Sequence, residues 1–225
     1  MRLRLTPATR MGLSIAAAVG VYGVSFGALS VGSGLSVLQT CALSLLMFTG
    51  GSQFAFIGVV GGGGAGAAAW AAATLLGVRN GVYAISLKTL IEPPGVLVPL
   101  MAHLTIDEST ATATAQTEHD ERVRGFWAAG IGIYVLWNAS TLVGALAGDA
   151  IGDPRRWGLD GAAVAAFLGL LWPRLTSRDP VALAIVAALV TVVVMPVVPP
   201  GIPVLVAAAA TALWWAWQHR RGVPA

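Results

Sequence analysis

Three short polar interruptions of apolar runs hold the residues that could do chemistry. LLGVRNGVYAISLK, residues 75–88, carries Arg79, Asn80 and Tyr83. HLTIDEST, residues 103–110, carries Asp107 and Glu108. FTGGSQF, residues 48–54, carries Ser52 and Gln53. A guanidinium offers paired N–H donors to a carboxylate. A carboxylate accepts hydrogen bonds from an ammonium group or takes up a proton. Such groups suit reversible recognition of a small charged solute rather than covalent catalysis. There is no GxxxxGK[ST] phosphate loop, so ATP is not used by that route. His103, His119 and His219 are far apart and give no metal-ligand spacing, and no serine or cysteine nucleophile motif stands out. Neither enzyme activity nor a cofactor is expected.

Each interruption has a plainer reading beside the functional one. Arg79 could lay its stem along a helix and reach an interface with its charged head. It lies about nine residues from Lys88, however, and at about 1.5 Å per residue that depth is unfavourable for snorkelling. A charge so placed usually faces a cavity or a partner, and Tyr83, one turn along, shares its face. Thr105 and Glu108 form a Thr-x-x-Glu capping box, with Asp107 and Glu108 in the first turn of a helix that restarts there. The carboxylates then either satisfy a helix start or build a site at a break within the membrane. Gly50 and Gly51 weaken the helix before Ser52 and Gln53. A pore-facing role for Gln53 and a simple interhelical hydrogen bond stay open, and the same holds for Trp137 and Asn138 in YVLWN. GVSFG, residues 23–27, reads as close helix packing. Trp214, Trp215 and Trp217 read as an interfacial aromatic belt.

The elements that must position these residues follow from composition. Of 225 residues, 56% are hydrophobic and 10% charged, and mean hydropathy is +0.79. A soluble domain carries about 25% charged residues, so the chain reads as an integral membrane protein. The net charge of +3 comes from scattered basic residues, which excludes a nucleic-acid partner. Cys41 has no intrachain partner and reads as a small core residue. No charge occurs between Arg10 and Arg79, an interval longer than the about 20 residues of one span. The fold expected is all-α: a polytopic transmembrane bundle of about eight spans, some discontinuous, forming one membrane domain over 1–225.

The expected spans are 11–31, 37–60, 67–90, a discontinuous fourth within 94–117, 125–148, a short sixth over 158–173, 180–198 and 202–219. The apolar stretch from Met11 exceeds a signal h-region and reads as the first span. Lysine and arginine set the orientation. With a cytoplasmic N-terminus, nine basic residues (Arg2, Arg4, Arg10, Arg122, Arg124, Arg174, Arg178, Arg220 and Arg221) face the cytoplasm, and three (Lys88, Arg155 and Arg156) face outward. Gly-Ala-Leu followed by a turn recurs at 27–36 and 144–160. The recurrence reads either as parallel halves, 1–120 and 121–225, or as chance in an alanine-rich chain.

GVSFGAL, LLMFTGGSQFAFIGVV, LLGVRNGVYAISL, LTIDE and GDPRRWGLDGAAVAAFLGLLWP occur in an order and spacing that resembles the AzlC family, the large subunit of bacterial branched-chain amino acid exporters. Where family members usually read Asn-x-Arg-His, this chain reads Gly77-Val78-Arg79-Asn80, keeping the arginine alone. The resemblance implies a multi-pass protein of the bacterial inner membrane, export driven by an ion gradient, and a small AzlD-type membrane subunit as partner. On that view Arg79 binds the substrate carboxylate and Asp107 or Glu108 receives its ammonium or a coupling proton. Ser52, Gln53, Asn80 and Tyr83 complete a polar lining. A non-transporting membrane scaffold and a channel for small polar solutes are the alternatives.

Overall fold

The computed structural model describes residues 5–151 and 171–220, with residues 156, 168 and 169 between them. The described residues are helical throughout their regular structure: α1 Pro7–Val21, α2 Gly23–Gly32, α3 Val37–Leu46, α4 Gly50–Gly61, α5 Gly66–Ile91, α6 Val98–His103, α7 Asp107–Thr114, α8 His119–Ile151, α9 Arg178–Val194 and α10 Ile202–Arg220. Short 3-10 turns, Gly95–Leu97 and Trp172–Arg174, lie before α6 and before α9. The expected sixth span, 158–173, and the loop at 149–160 lie largely outside the described residues.

Local chemistry explains where these helices start and stop. Thr6 caps α1 by accepting from the Thr9 N–H at 3.3 Å, with Pro7 in the first turn. Tyr22 interrupts the expected first span only slightly, so α1 and α2 form one apolar run, Pro7–Gly32. Ser36 and Gln39 make a reciprocal capping box at α3, with bonds of 3.2 and 2.8 Å. α5 continues unbroken past Arg79 until Glu92 turns left-handed (φ 48°), and Pro93 and Pro94 then forbid more helix.

The expected second span is two helices, and its break falls at Met47–Thr49, just ahead of the glycine pair. Gly50 and Gly51 begin α4. The fourth region is also broken, between His103 and Asp107, as expected. Its predicted capping box does not form. The Thr105 hydroxyl donates backward to the Met101 carbonyl at 2.7 Å, finishing α6, and Ile106 stands at the cap position. Ser109 Oγ accepts from the Ile106 N–H at 3.0 Å and donates to Leu104 O at 2.8 Å. The Ser109 hydroxyl therefore makes the reciprocal bond expected of Glu108, and Glu108 is left for other use.

Helix α8 is the centre of the bundle and lies against α1, α2, α3 and α7. Its contact with α2 is nearly backbone to backbone: a Cβ on Gly27 would overlap the Thr141 carbonyl, and one on Gly144 would overlap the Val24 carbonyl. Only glycine permits that approach, so the GVSFG segment packs as expected. α4 packs along α5, and α9 along α10. Phe26, Ile133, Phe126, Leu87 and Met101 are fully buried in the core. Outward faces are apolar too, with Val78, Val82 and Ile85 on α5 between 57% and 73% exposed. Pro7–Gly32 and His119–Ala150 are long and apolar enough to cross a membrane.

Candidate functional site

The two broken regions meet at one cavity. Where a helix ends inside a protein, its last carbonyls and first amides need partners. The carbonyl side of each break is closed by side chains. At the end of α3, Gln53 Nε2 donates to Met47 O at 2.8 Å and to Ser44 O at 3.3 Å. The Tyr134 hydroxyl donates to Leu45 O at 3.4 Å. At the end of α6, Thr105 and Ser109 serve Met101 O and Leu104 O. The amide side of the first break is open. Thr49 makes no side-chain cap bond to α4, and Thr49, Gly50 and Gly51 line the cavity.

Charge enters this space from three directions. α5 carries Arg79, whose Nη1 lies 2.8 Å from Asp107 Oδ2 at the start of α7. Arg174, in the turn before α9, brings Nη2 within 3.7 Å of the same oxygen. The Arg79 side chain is 28% exposed and that of Asp107 17%. Their contact is a one-point ion pair off the N–H direction, not a two-point fork. Arg79 Nε and Asp107 Oδ1 have no hydrogen-bond partner. Glu108, beside Asp107, lines the same cavity.

The remaining walls are apolar and small. The cavity encloses about 430 Å³ and is lined further by Ala18, Val19, Tyr22, Phe54, Ile106, Trp137 and Gly169. Tyr22, Phe54 and Trp137 pack as an aromatic group, with ring centroids 5.6 to 6.4 Å apart. A cavity of this size and lining, with a few converging polar groups, is the usual form of a small-molecule site.

Arg79, Asp107 and Glu108 thus come together as the sequence suggested, and the other expected residues do not join them. Gln53 is fully buried behind the wall, outside the cavity lining. Its Nε2 serves carbonyls, and its Oε1 accepts from Trp137 Nε1–H at 2.9 Å, so the interhelical bond is the role its geometry fits. Ser52 lies at the α4–α5 seam, where a Cβ on Gly77 would come within 3.3 Å of its Oγ. Asn80 and Tyr83 also fall outside the lining, with Asn80 Oδ1 buried and without a hydrogen-bond partner. Tyr83 shares the face of Arg79 but lies a full turn beyond the cavity.

Arg174, Tyr22 and Phe54 were not expected at the site. Arg174 reads from sequence as one more loop arginine. Only the tertiary contact sets it apart. For Tyr22 and Phe54 the available signal was proximity to helix interruptions, Phe54 following the glycine pair and Tyr22 preceding GVSFG.

Residues 14–151 of the chain, more than half of it, match the family model described as AzlC protein. No curated protein and no solved structure matches. The matched region contains every cavity-lining residue named above except Gly169, and it does not reach Arg174.

Proposed function

We propose a function from one settled premise: the chain belongs to the AzlC family. The reading is a permease subunit of the bacterial inner membrane that exports small amino acids, branched-chain ones first, using an ion gradient. The single observation that carries it is the Arg79–Asp107 pair set into a cavity of otherwise apolar walls. An amino acid is a zwitterion with an apolar body. Arg79 would take its carboxylate through the guanidinium edge that Asp107 leaves unused, beside the uncapped start of α4. Asp107 or Glu108 would take the ammonium group or the coupling proton. Tyr22, Phe54 and Trp137 would pack against an aliphatic side chain.

The direction of loading follows from the same site. In the eight-span arrangement Arg174 would lie at the cytoplasmic end of its span, and its reach to Asp107 supports a cavity open to the cytoplasmic side. An exporter loads from that side. A small AzlD-type subunit is the proposed partner. Efflux of a labelled amino acid panel from cells, with and without that subunit, tests the reading. Saturable, gradient-dependent efflux of leucine, isoleucine or valine is expected. Flux that fails to saturate would identify a channel, and no flux with the partner present would identify a scaffold.

A further inference from the structure

We propose that Arg174 is a further positioning residue of this site, taking over the Asp107 carboxylate when a substrate carboxylate occupies Arg79. The inference rests on the amino acid reading above and adds a residue that lies beyond the family match. Two guanidinium groups converge on one oxygen, Asp107 Oδ2, at 2.8 Å from Arg79 and 3.7 Å from Arg174. The nearer pair meets at one point only, with Arg79 Nε and Asp107 Oδ1 unpartnered. Arg174 is the more exposed of the two, at 53% against 28%. A shift of about 1 Å would give it the contact Arg79 now holds.

The charge balance gives this arrangement its purpose. The formal charges of Arg79, Arg174, Asp107 and Glu108 sum to zero. A substrate carboxylate arriving at Arg79 meets the Asp107 carboxylate at the same guanidinium, and like charges so placed repel. With Arg174 at hand, Asp107 keeps a cationic partner while Arg79 turns to the substrate. The two arginines thus divide the work: Arg79 binds, and Arg174 holds the displaced counter-charge. No proton or covalent bond need change hands.

The test uses the purified full chain and labelled leucine. Arg174→Gln is expected to weaken leucine binding about fivefold, the scale of one partly exposed ion pair. Arg174→Lys is expected to restore most of it, since the role asks only for a cation. In an Asp107→Asn background, Arg174→Gln should add nothing, because Arg174 acts through Asp107. Unchanged binding in Arg174→Gln, or an undiminished effect in the Asp107→Asn background, would overturn the proposal. A second arm needs no substrate. Heat unfolding of Arg79→Gln, Arg174→Gln and the double variant should show a combined loss larger than the sum, because either guanidinium can hold the carboxylate alone. Additive losses overturn the sharing of Asp107. If the wild-type chain binds and moves no amino acid, the function proposed above fails, and the unfolding cycle alone decides whether the arginines exchange.

Discussion

Replacing Gln53 by leucine separates the two roles its sequence left open. Leucine keeps most of the volume, so the packing change is small. What is lost is a set of bonds at a fully buried position. Trp137 Nε1–H loses its acceptor at 2.9 Å, and Ser44 O loses a donor at 3.3 Å. Met47 O loses its 2.8 Å partner but keeps the Thr49 N–H at 2.8 Å. Two buried groups are therefore stranded outright, at about 1–3 kcal/mol each, for a loss of roughly 2–6 kcal/mol. In a chain of this length that corresponds to a fall of roughly 10 °C in melting temperature. Heat unfolding in detergent, followed by tryptophan fluorescence, reads it directly. A Trp137→Phe variant should lose less, and the double variant less than the sum, because the two residues share one bond. An unchanged melting temperature together with abolished leucine binding would refute the structural role and return Gln53 to the substrate.

Three further outcomes are expected. Arg79→Lys should impair efflux without loss of membrane protein, because an ammonium group cannot reproduce the guanidinium edge. Arg79→Ala should do at least as much harm, and normal efflux by the alanine variant would end the carboxylate-binding role. Gly144→Ala drives a methyl group into the Val24 carbonyl and should cost about 1–3 kcal/mol, read as lowered melting temperature and yield. A melting temperature equal to wild type would contradict the close seam. Cysteines placed in the 117–124 loop and at the C-terminus should resist an impermeant thiol reagent applied from outside, and labelling of either would reject the eight-span arrangement with cytoplasmic termini.

Long, uniform signals carried from sequence to structure. The charge-free run up to Arg79 and the Pro93-Pro94 stop frame α5, and GVSFG identifies a packing face through glycine spacing alone. The interruption near Leu104 was legible from the change in polarity. Short local motifs fared less well. The Thr-x-x-Glu pattern at Thr105 does not cap, whereas the less conspicuous Ser36–Gln39 pair does. A hydroxyl at a helix break can turn to carbonyls behind it or amides ahead, and its sequence neighbours do not settle which. Gln53 and Trp137 are 84 residues apart, and their bond has no local signature. Arg174 was hidden for the same reason. The charge bias that assigns it a side of the membrane says nothing of how far inward its side chain reaches.

The glycine seam between α2 and α8 bears on movement. Where two backbones touch at Gly27 and Gly144, no side chain stands between them to change rotamer and absorb a displacement. Helices joined in this way can separate or stay, but they cannot slide in small steps. α1, α2 and α8 therefore pack as one closely joined block. α4 and α5 meet that block through the packing of Phe54 on Tyr22 and Phe26 and through the Gln53–Trp137 bond, while Arg79 ties α5 to Asp107 at the start of α7. On the transport function proposed above, a stroke that turns the cavity toward the far face would fall to α4–α5, and the Arg79–Asp107 contact would be the latch it releases.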